Sequence, residues 1–468
     1  MANLTFIGAT RQVTGSCYLL ETGTSTILLE CGMYQGSPEV ERQNRQGFPF
    51  DIQQLDAVVI SHTHLDHCGL LPRLVREGYR GPIYMTPATH DLLEVMLRDA
   101  AYLEEKDTEW ENRQRLRAGK QLIEPLYTEM DVDETLGLRE VLAYGEKLSI
   151  ATDIILTYHD AGHILGSAIV EIQHGKGAAK KTLVFSGDLG NSNTALLDSP
   201  AVIQHADTLL LESTYGDRQH RSLPATLEEL RAVLHTAMDE GGNVLIPSFT
   251  IGRSQEILFW LGKFYRDGQL KQQKVFLDSP MAIAASDIYR KHLHLFNDTD
   301  ARAFRDTIQD GWDAWLPPLT FTRSPEESMQ INKISGGSII IAGSGMCTGG
   351  RIRHHLKNNL WRNNTHVVIV GFQAQGTTGR ALVDGAGRIS IFGKEIAVNA
   401  AIHTLNGFSA HADQQQLLDW AGQLAAPRPD LYLVHGELEE MLTLQKRFHQ
   451  QHDWYANIPR PGERIELN

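Results

Sequence analysis

The run Ser61-His62-Thr63-His64-Leu65-Asp66-His67 constrains this chain more than any other segment. It sets three imidazoles and a carboxylate close together, directly after the apolar run Leu55 to Ile60 and before Cys68-Gly69-Leu70. Alternate residues of a strand share one face. A segment that leaves a strand through a turn and enters a helix can aim positions i, i+2, i+4 and i+5 into one pocket. Imidazole and carboxylate together suit zinc, and also iron or manganese. Four potential ligands exceed what one ion takes from one loop, which suggests two ions. The competing reading is a polar, histidine-rich surface loop, and the buried strand just before the run argues against it. The chain holds 20 histidines, the commonest metal-binding side chain.

Composition bounds the rest. A chain of 468 residues, 42% hydrophobic and 21% charged, is globular and long enough for two or three domains of ~100–200 residues. No stretch approaches the ~18 apolar residues of a membrane span. Met1-Ala2-Asn3-Leu4-Thr5-Phe6-Ile7 reads as a first strand and not as a signal peptide. Cys17, Cys31, Cys68 and Cys347 are scattered without a CxxC pair, so neither a disulfide framework nor a thiolate zinc knuckle is indicated, and a reducing cytoplasm is the expected location. The net charge of -14 argues against a protein that coats long nucleic acid with a basic face. Any phosphate-binding surface must be local.

Short strands are expected at Val13 to Glu21, Thr26 to Glu30 and Leu55 to Ile60, with a turn at Thr22-Gly23-Thr24-Ser25. Thr86-Pro87 has the form of an N-cap followed by proline, opening a helix through Leu92, Met96 and Leu103. The charged stretch from Glu104 to Lys120 reads as solvated helix in a surface hairpin. Strands return at 154–157, 168–173 and 182–186. From Thr208 the pattern changes: strands at 208–211, 243–247, 274–277, 338–342 and 366–370 alternate with helices at 225–239 and 253–265. Such alternation implies a parallel sheet covered by helices. After Ile389 the text is strand-rich again. A domain inserted between two parts of another explains this order, with parts at 1–208 and 391–468 and the insert at 209–390.

Further polar residues stand at the mouths of apolar elements: His163 in Gly162-His163-Ile164, Asp188 in Gly187-Asp188-Leu189, and His435 in Val434-His435-Gly436. With these, the chain resembles the metallo-β-lactamase superfamily. Leu211-Glu212-Ser213-Thr214-Tyr215-Gly216 resembles motif A of its β-CASP branch, Gly407-Phe408-Ser409-Ala410-His411-Ala412-Asp413 motif B, and Leu433-Val434-His435-Gly436-Glu437 motif C. The similarity runs from about residue 4 to residue 450 in the family's motif order. Within that branch, the chain resembles the bacterial proteins similar to the nuclease subunit of the cleavage and polyadenylation machinery.

The resemblance implies an αββα sandwich with an inserted α/β parallel-sheet β-CASP domain. It implies His62, His64 and His163 on one zinc ion, Asp66, His67 and His435 on a second, and Asp188 bridging them. It places Glu212 and His411 beside the metals, and Asp66, Glu212 and His411 among the catalytic groups. One position departs from the pattern. Glu30 stands where the family usually has Asp, in a role supporting the metal ligands. Second-shell changes can cost ~10–100-fold in metal affinity.

The function so implied is a zinc-dependent ribonuclease, endonucleolytic, 5′-exonucleolytic or both. Water activated by two metals would attack the phosphodiester of single-stranded RNA. His411, kept charged by Glu212, would protonate the leaving oxygen. For substrate phosphates, the loop at Ser344 and Gly345, with Arg253, Arg351 and Arg380, supplies candidate donors. Arg351, Arg353, His354, His355 and Lys357 form the densest basic run, whose plain reading is a solvated helix face. Two alternatives remain: a metallohydrolase for a small ester, lactone or thioester, and a catalytically silent RNA-binding scaffold. No membrane association is expected, and a homodimer is expected by analogy.

Overall fold

The first strand, Ala2–Gly8, buries every second residue, the mark of a strand with one face in a core. The computed structural model describes residues 2–177, 180–192, 194–297, 301–371 and 373–467. The chain packs as two compact units, one of Met1–Ser192, Ser199–Gln219 and His411–Asn468, the other of Asn193–Asp198 and His220–Ala410.

The first unit holds two seven-stranded sheets. In spatial order, one runs Glu463–Leu467, Ala2–Gly8, Cys17–Glu21, Thr26–Leu29, Ala57–Val59, Ile83–Met85 and Arg139–Val141. The other runs Ala456–Asn457, Asp430–Val434, Thr208–Glu212, Lys181–Phe185, Ala168–His174, Ile154–Asp160 and Lys147–Ala151. Their inner faces share one core, in which Leu4, Phe6, Tyr18 and Leu29 meet Leu156, Tyr158, Phe185 and Val434. The rings of Tyr18 and Phe185 lie 5.3 Å apart. Each such side chain contributes ~1.5–3 kcal/mol by leaving water. Helices Leu71–Arg76 and Pro87–Arg117 cover the outer face of the first sheet, and Gln414–Gly422 and Leu438–His452 that of the second. The result is the expected αββα sandwich.

Several expected strands are shorter, two of them for a clear backbone reason. The second begins at Cys17 and not Val13, because Gly15 at φ 83° turns the chain and packs against the Tyr34 ring. The third ends at Leu29, because Glu30 has φ 62° and leaves the extended region. Thr86 caps its helix by accepting from Thr89 N, and that helix runs unbroken to Arg117.

The second unit is built on a six-stranded sheet in the order Leu319–Phe321, Lys274–Leu277, Ser338–Ala342, Val244–Pro247, His366–Ile369 and Ala401–Thr404. Every pair in it is parallel. Helices Leu223–Asp239, Arg253–Arg266, Pro280–Lys291 and Ile352–Asn359 connect the strands, as parallel crossovers require. The four cysteines are free and buried. Among the described residues no helix is long and apolar enough to cross a membrane.

Candidate metal centre

The histidine run leaves the strand Ala57–Val59 and enters a one-turn helix, Leu65–Cys68. Backbone bonds knit it to the preceding strands: Ser16 N donates to Asp66 O at 2.8 Å, Cys31 N to His67 O at 2.8 Å and Met33 N to Leu65 O at 2.8 Å. Gly32 is required here, since a Cβ would lie 1.8 Å from Asp66 O. His163 sits in the loop after Ile154–Asp160, where its N–H donates to Ser167 Oγ at 3.0 Å. Asp188 follows the strand Lys181–Phe185, and His435 follows Asp430–Val434.

These residues converge. His62, His64, His163 and Asp188 each offer a ligand atom within 4.8 Å of the others, and so do Asp66, His67 and His435. In the first set His62 Nε2 is 3.1 Å from His64 Nδ1, which is 3.3 Å from His163 Nε2. Asp188 Oδ2 is 3.5 Å from both His62 Nε2 and His163 Nε2. In the second set His67 Nε2 is 3.1 Å from His435 Nε2, and His435 Nε2 is 3.4 Å from Asp66 Oδ2. The other oxygen of Asp188, Oδ1, lies 3.3 Å from His67 Nε2. Ligands ~2.0–2.1 Å from a tetrahedral zinc stand ~3.3 Å from one another. The donor sets therefore fit two such ions, with one oxygen of Asp188 turned to each.

Outer partners aim the rings. Ser61 Oγ is 3.0 Å from His62 Nδ1, Glu30 Oε2 is 2.5 Å from His67 Nδ1 and Thr214 Oγ1 is 3.0 Å from His435 Nδ1. Each contact fixes one nitrogen and leaves Nε2 to face the site. Glu30 is fully buried and also accepts from Ser61 N at 2.6 Å. Ser61 and Thr214 lie within motifs read from the sequence, but nothing in the sequence marked them as ring-orienting groups.

The electrostatics follow from burial and mutual charge. Burial lowers the His64 pKa to about 4. Burial opposes charge on Asp66, yet His435 and His67 bring its pKa down to about 2. Burial likewise opposes charge on Asp188, but His435, His67 and His62 hold it well below the usual carboxylate range. His411 Nδ1 lies 3.3 Å from Glu212 and 3.9 Å from Asp188 Oδ2. Burial alone would lower its pKa, but the Glu212 and Asp188 charges push it up to about 9. Glu212 is itself buried and accepts from Leu189 N at 2.6 Å.

The candidate phosphate donors all lie in the second unit. Ser344 Oγ accepts from Gly349 N at 3.3 Å, and the carbonyl of Gly345 accepts from Gln373 Nε2 at 2.9 Å. Arg253 is buried and paired with Glu256. Arg380 pairs with Asp384 at 2.8 Å. Arg351 is held by Asp278 Oδ1 at 2.7 Å and by the carbonyls of Thr322 and Arg323. His355 is fully buried and bonds Asp278 Oδ2 at 2.6 Å. The basic run is therefore not a uniformly solvated helix face, because two of its members turn inward onto one carboxylate.

A two-sheet sandwich presenting paired imidazole–carboxylate sets at its strand ends defines a metal-dependent hydrolase. Comparison with known proteins narrows the class. A model described as the metallo-β-lactamase superfamily matches residues 10–166, the Beta-Casp domain matches 254–382, and the Zn-dependent metallo-hydrolase RNA specificity domain matches 395–459. The chain is 41% identical over 440 residues to Ribonuclease TTHA0252 of Thermus thermophilus, covering 94% of each. It is 32% identical to Transcription termination factor FttA of Pyrococcus horikoshii, covering 99% of this chain and 71% of that one. For FttA of Methanocaldococcus jannaschii the identity is 33%, over 96% and 69% of the two chains. A crystal structure of a protein of unknown function from Enterococcus faecalis shares the fold, with a TM-score of 0.53 at 12% identity over 99% of each chain. The chain belongs to the metallo-β-lactamase superfamily, in its β-CASP branch.

Proposed function

We propose that this protein is a zinc-dependent ribonuclease that hydrolyses phosphodiester bonds of single-stranded RNA. The observation that carries the reading is the pair of donor sets joined through Asp188, with His411 Nδ1 3.9 Å from the joining carboxylate and 3.3 Å from Glu212. Identity of 41% to a ribonuclease over 94% of the chain supports RNA as the substrate, as does the match of residues 395–459 to an RNA specificity domain. His62, His64 and His163 would hold one zinc ion, Asp66, His67 and His435 a second, and Asp188 both.

Bound there, two divalent ions would lower the pKa of water and offset the negative charge of the reacting phosphate. The protein supplies the rest. Asp66 and Asp188 stay ionised at neutral pH, which keeps the site anionic and ready for cations. Glu30, Ser61 and Thr214 hold the rings in one orientation. His411 carries a proton at neutral pH, and its place beside Asp188 suits it to protonate the departing oxygen. Glu212 keeps that proton on His411.

The test is incubation of the zinc-loaded protein with 5′-labelled RNA, with generic esters and lactones in parallel. Cleavage of the RNA, lost in His64→Ala and Asp188→Ala, is the expected result. Intact RNA at stoichiometric protein, with turnover of an ester, would replace this reading with a small-molecule hydrolase. RNA bound but never cut would make the protein a scaffold. A ladder of products marks internal cutting, and mononucleotides mark a 5′ exonuclease.

A further inference from the structure

Phe392 breaks two local rules at once. In the second unit, Arg388–Ile391 and Lys394–Ala397 pair antiparallel with Ile391 opposite Lys394, so Phe392 and Gly393 form the whole connection. Both have positive φ, 52° and 70°, as a two-residue primed hairpin turn requires, and Asn or Asp before Gly is the usual choice there. The left-handed conformation is costly for a bulky side chain. Burial does not repay that cost, because Phe392 is 44% exposed. A large apolar ring held in a strained and solvated position points to a role outside the fold.

The ring's neighbours are cationic or polar. The Arg353 guanidinium lies 4.4 Å from its centroid, and the His354 ring lies 4.7 Å away, inclined at 36°. Both come from the first turn of the helix Ile352–Asn359. The basic run therefore divides. Arg351 and His355 turn onto Asp278, while Arg353, His354 and Lys357 are left to the surface around Phe392. Lys394 joins them from the far side of the turn. Among the described residues, Arg353, Lys357 and Lys394 enter no ion pair; the nearby Asp384 is taken by Arg380. The hairpin's one carboxylate, Glu395, stands opposite Ser390. The local field shows in His354, whose pKa is lowered by burial and by the charges of His355, Lys357 and Arg353.

We propose that Phe392, with Arg353, His354, Lys357 and Lys394, is a stacking platform for single-stranded RNA, which holds one base against the ring and the adjoining phosphates on the cations. The choice of RNA rests on the ribonuclease reading. Charge complementarity carries it further: a cluster of unpaired cations in a chain of net charge -14 suits a polyanion confined to this patch. An acidic peptide would meet the cations but leave the ring face without a planar partner. A duplex would meet them too, but its bases are already stacked, whereas an unpaired base has a free face for an aromatic ring or a guanidinium plane.

The test is fluorescence anisotropy on the full chain with a labelled oligouridylate of about 20 nucleotides, longer than one domain's footprint, and with chelator present to keep the strand whole. Phe392→Asn removes the ring and suits the left-handed turn. It should melt no lower than the wild type yet bind about 5- to 150-fold more weakly, the range for one stacked base. Phe392→Tyr should bind like the wild type. Against an abasic strand of equal length, Phe392→Asn and the wild type should bind alike. Lys394→Ala should reduce the slope of log affinity against log salt by about 0.7. In the zinc-loaded protein, Phe392→Asn should raise KM for RNA. RNA affinity unchanged in both Phe392→Asn and Lys394→Ala overturns the inference and leaves the patch to a protein partner. An equal loss by Phe392→Asn on the abasic strand, or a loss explained by its unfolding, overturns it as well. Cutting is scored separately: RNA bound at the patch but never cut would sink the ribonuclease reading alone, and RNA cut with an indifferent patch would sink this inference alone.

Discussion

Replacing Glu30 by Asp would install the residue that the family pattern leads one to expect, yet the structure predicts a loss. Glu30 Oε1 accepts from Ser61 N at 2.6 Å, and Oε2 reaches His67 Nδ1 at 2.5 Å and Ser61 Oγ at 3.1 Å. Removing one methylene draws the carboxylate back by ~1.5 Å and opens the two shortest contacts to ~4 Å, beyond hydrogen-bond range. The backbone cannot easily follow. Glu30 N donates to Val59 O at 3.0 Å, and Cys31 N to His67 O at 2.8 Å, so the residue is pinned on both sides. Its φ of 62° is already costly for a side chain other than glycine.

Two consequences can be given sizes. In the metal-free protein, Ser61 N and His67 Nδ1 lose a buried partner, at ~1–3 kcal/mol each. In the loaded protein, the His67 ring loses the contact that fixes its orientation, which weakens zinc by ~10–100-fold, or ~1.4–2.7 kcal/mol. Competition for zinc against a chromophoric chelator measures the second, and thermal unfolding of the metal-free chain the first. Glu30→Gln separates length from charge, because it keeps the reach but cannot accept from both neighbours as an anion. If Glu30→Asp bound zinc and melted like the wild type, the claim that this side chain's length sets the His67 orientation would be wrong.

Chelation should abolish RNA cleavage and zinc should restore it, with two ions per chain by elemental analysis in the wild type and fewer in Asp188→Ala, whose carboxylate faces both sets. His411→Ala should lower kcat by ~10²–10⁴-fold. Because the Glu212 and Asp188 charges raise its pKa against burial, the acid form is favoured at neutral pH, and the rate should fall on the alkaline side. Glu212→Gln removes a charge that raises the pKa and should move that fall to lower pH, and a pH–rate profile unchanged in both variants would remove His411 as the proton donor. Asp278→Ala should destabilise the second unit by ~3–5 kcal/mol, read by urea unfolding, since Arg351 and buried His355 both lose their partner. Asp278 is held well below the usual carboxylate range by its donors despite burial, so its stabilisation is present above pH ~3.9 and lost as pH falls below it; the Asp278→Asn variant should lack that part of the acid dependence.

The first unit's candidate site was legible because the donor residues are local. Three imidazoles and a carboxylate after a buried strand can be seen in seven letters. What those letters omit is everything set by distant neighbours. Thr214 meets the ring of His435 across 221 positions, and Asp278 meets His355 across 77. That second pairing changes how the basic run reads. As sequence, Arg351 to Lys357 is a charged helix face. In the fold, the strand Lys274–Leu277 delivers a carboxylate beneath it, and two of its positive groups are matched inside the protein. Glu30 illustrates the same gap on a smaller scale. Its identity was an evident departure, but only its φ of 62° and its three contacts show how a longer acid takes up the position.

The strand pattern explains why segments so far apart form one centre. Each sheet of the first unit is antiparallel on one side and parallel on the other, and most of the site grows from the parallel sides, with His163 the exception. In the second sheet, Lys181–Phe185, Thr208–Glu212 and Asp430–Val434 run parallel as neighbours, with Phe185 opposite Leu210 and Glu212 opposite Val434. Parallel strands end together, so Asp188, Glu212 and His435 emerge at one edge of the sheet. In the first sheet, Thr26–Leu29 and Ala57–Val59 are likewise parallel, with Leu29 opposite Val59, and Glu30 and Ser61 emerge side by side. Glu30 holds His67 from the first sheet while Asp188 faces it from the second. An antiparallel arrangement of the same strands would send neighbouring C-terminal ends to opposite edges and scatter the ligands. The chain order of the candidate ligands is therefore secondary: Asp188 and His435 follow parallel strands in register with their neighbours, while His163 reaches the site from the loop after Ile154–Asp160, on the antiparallel side.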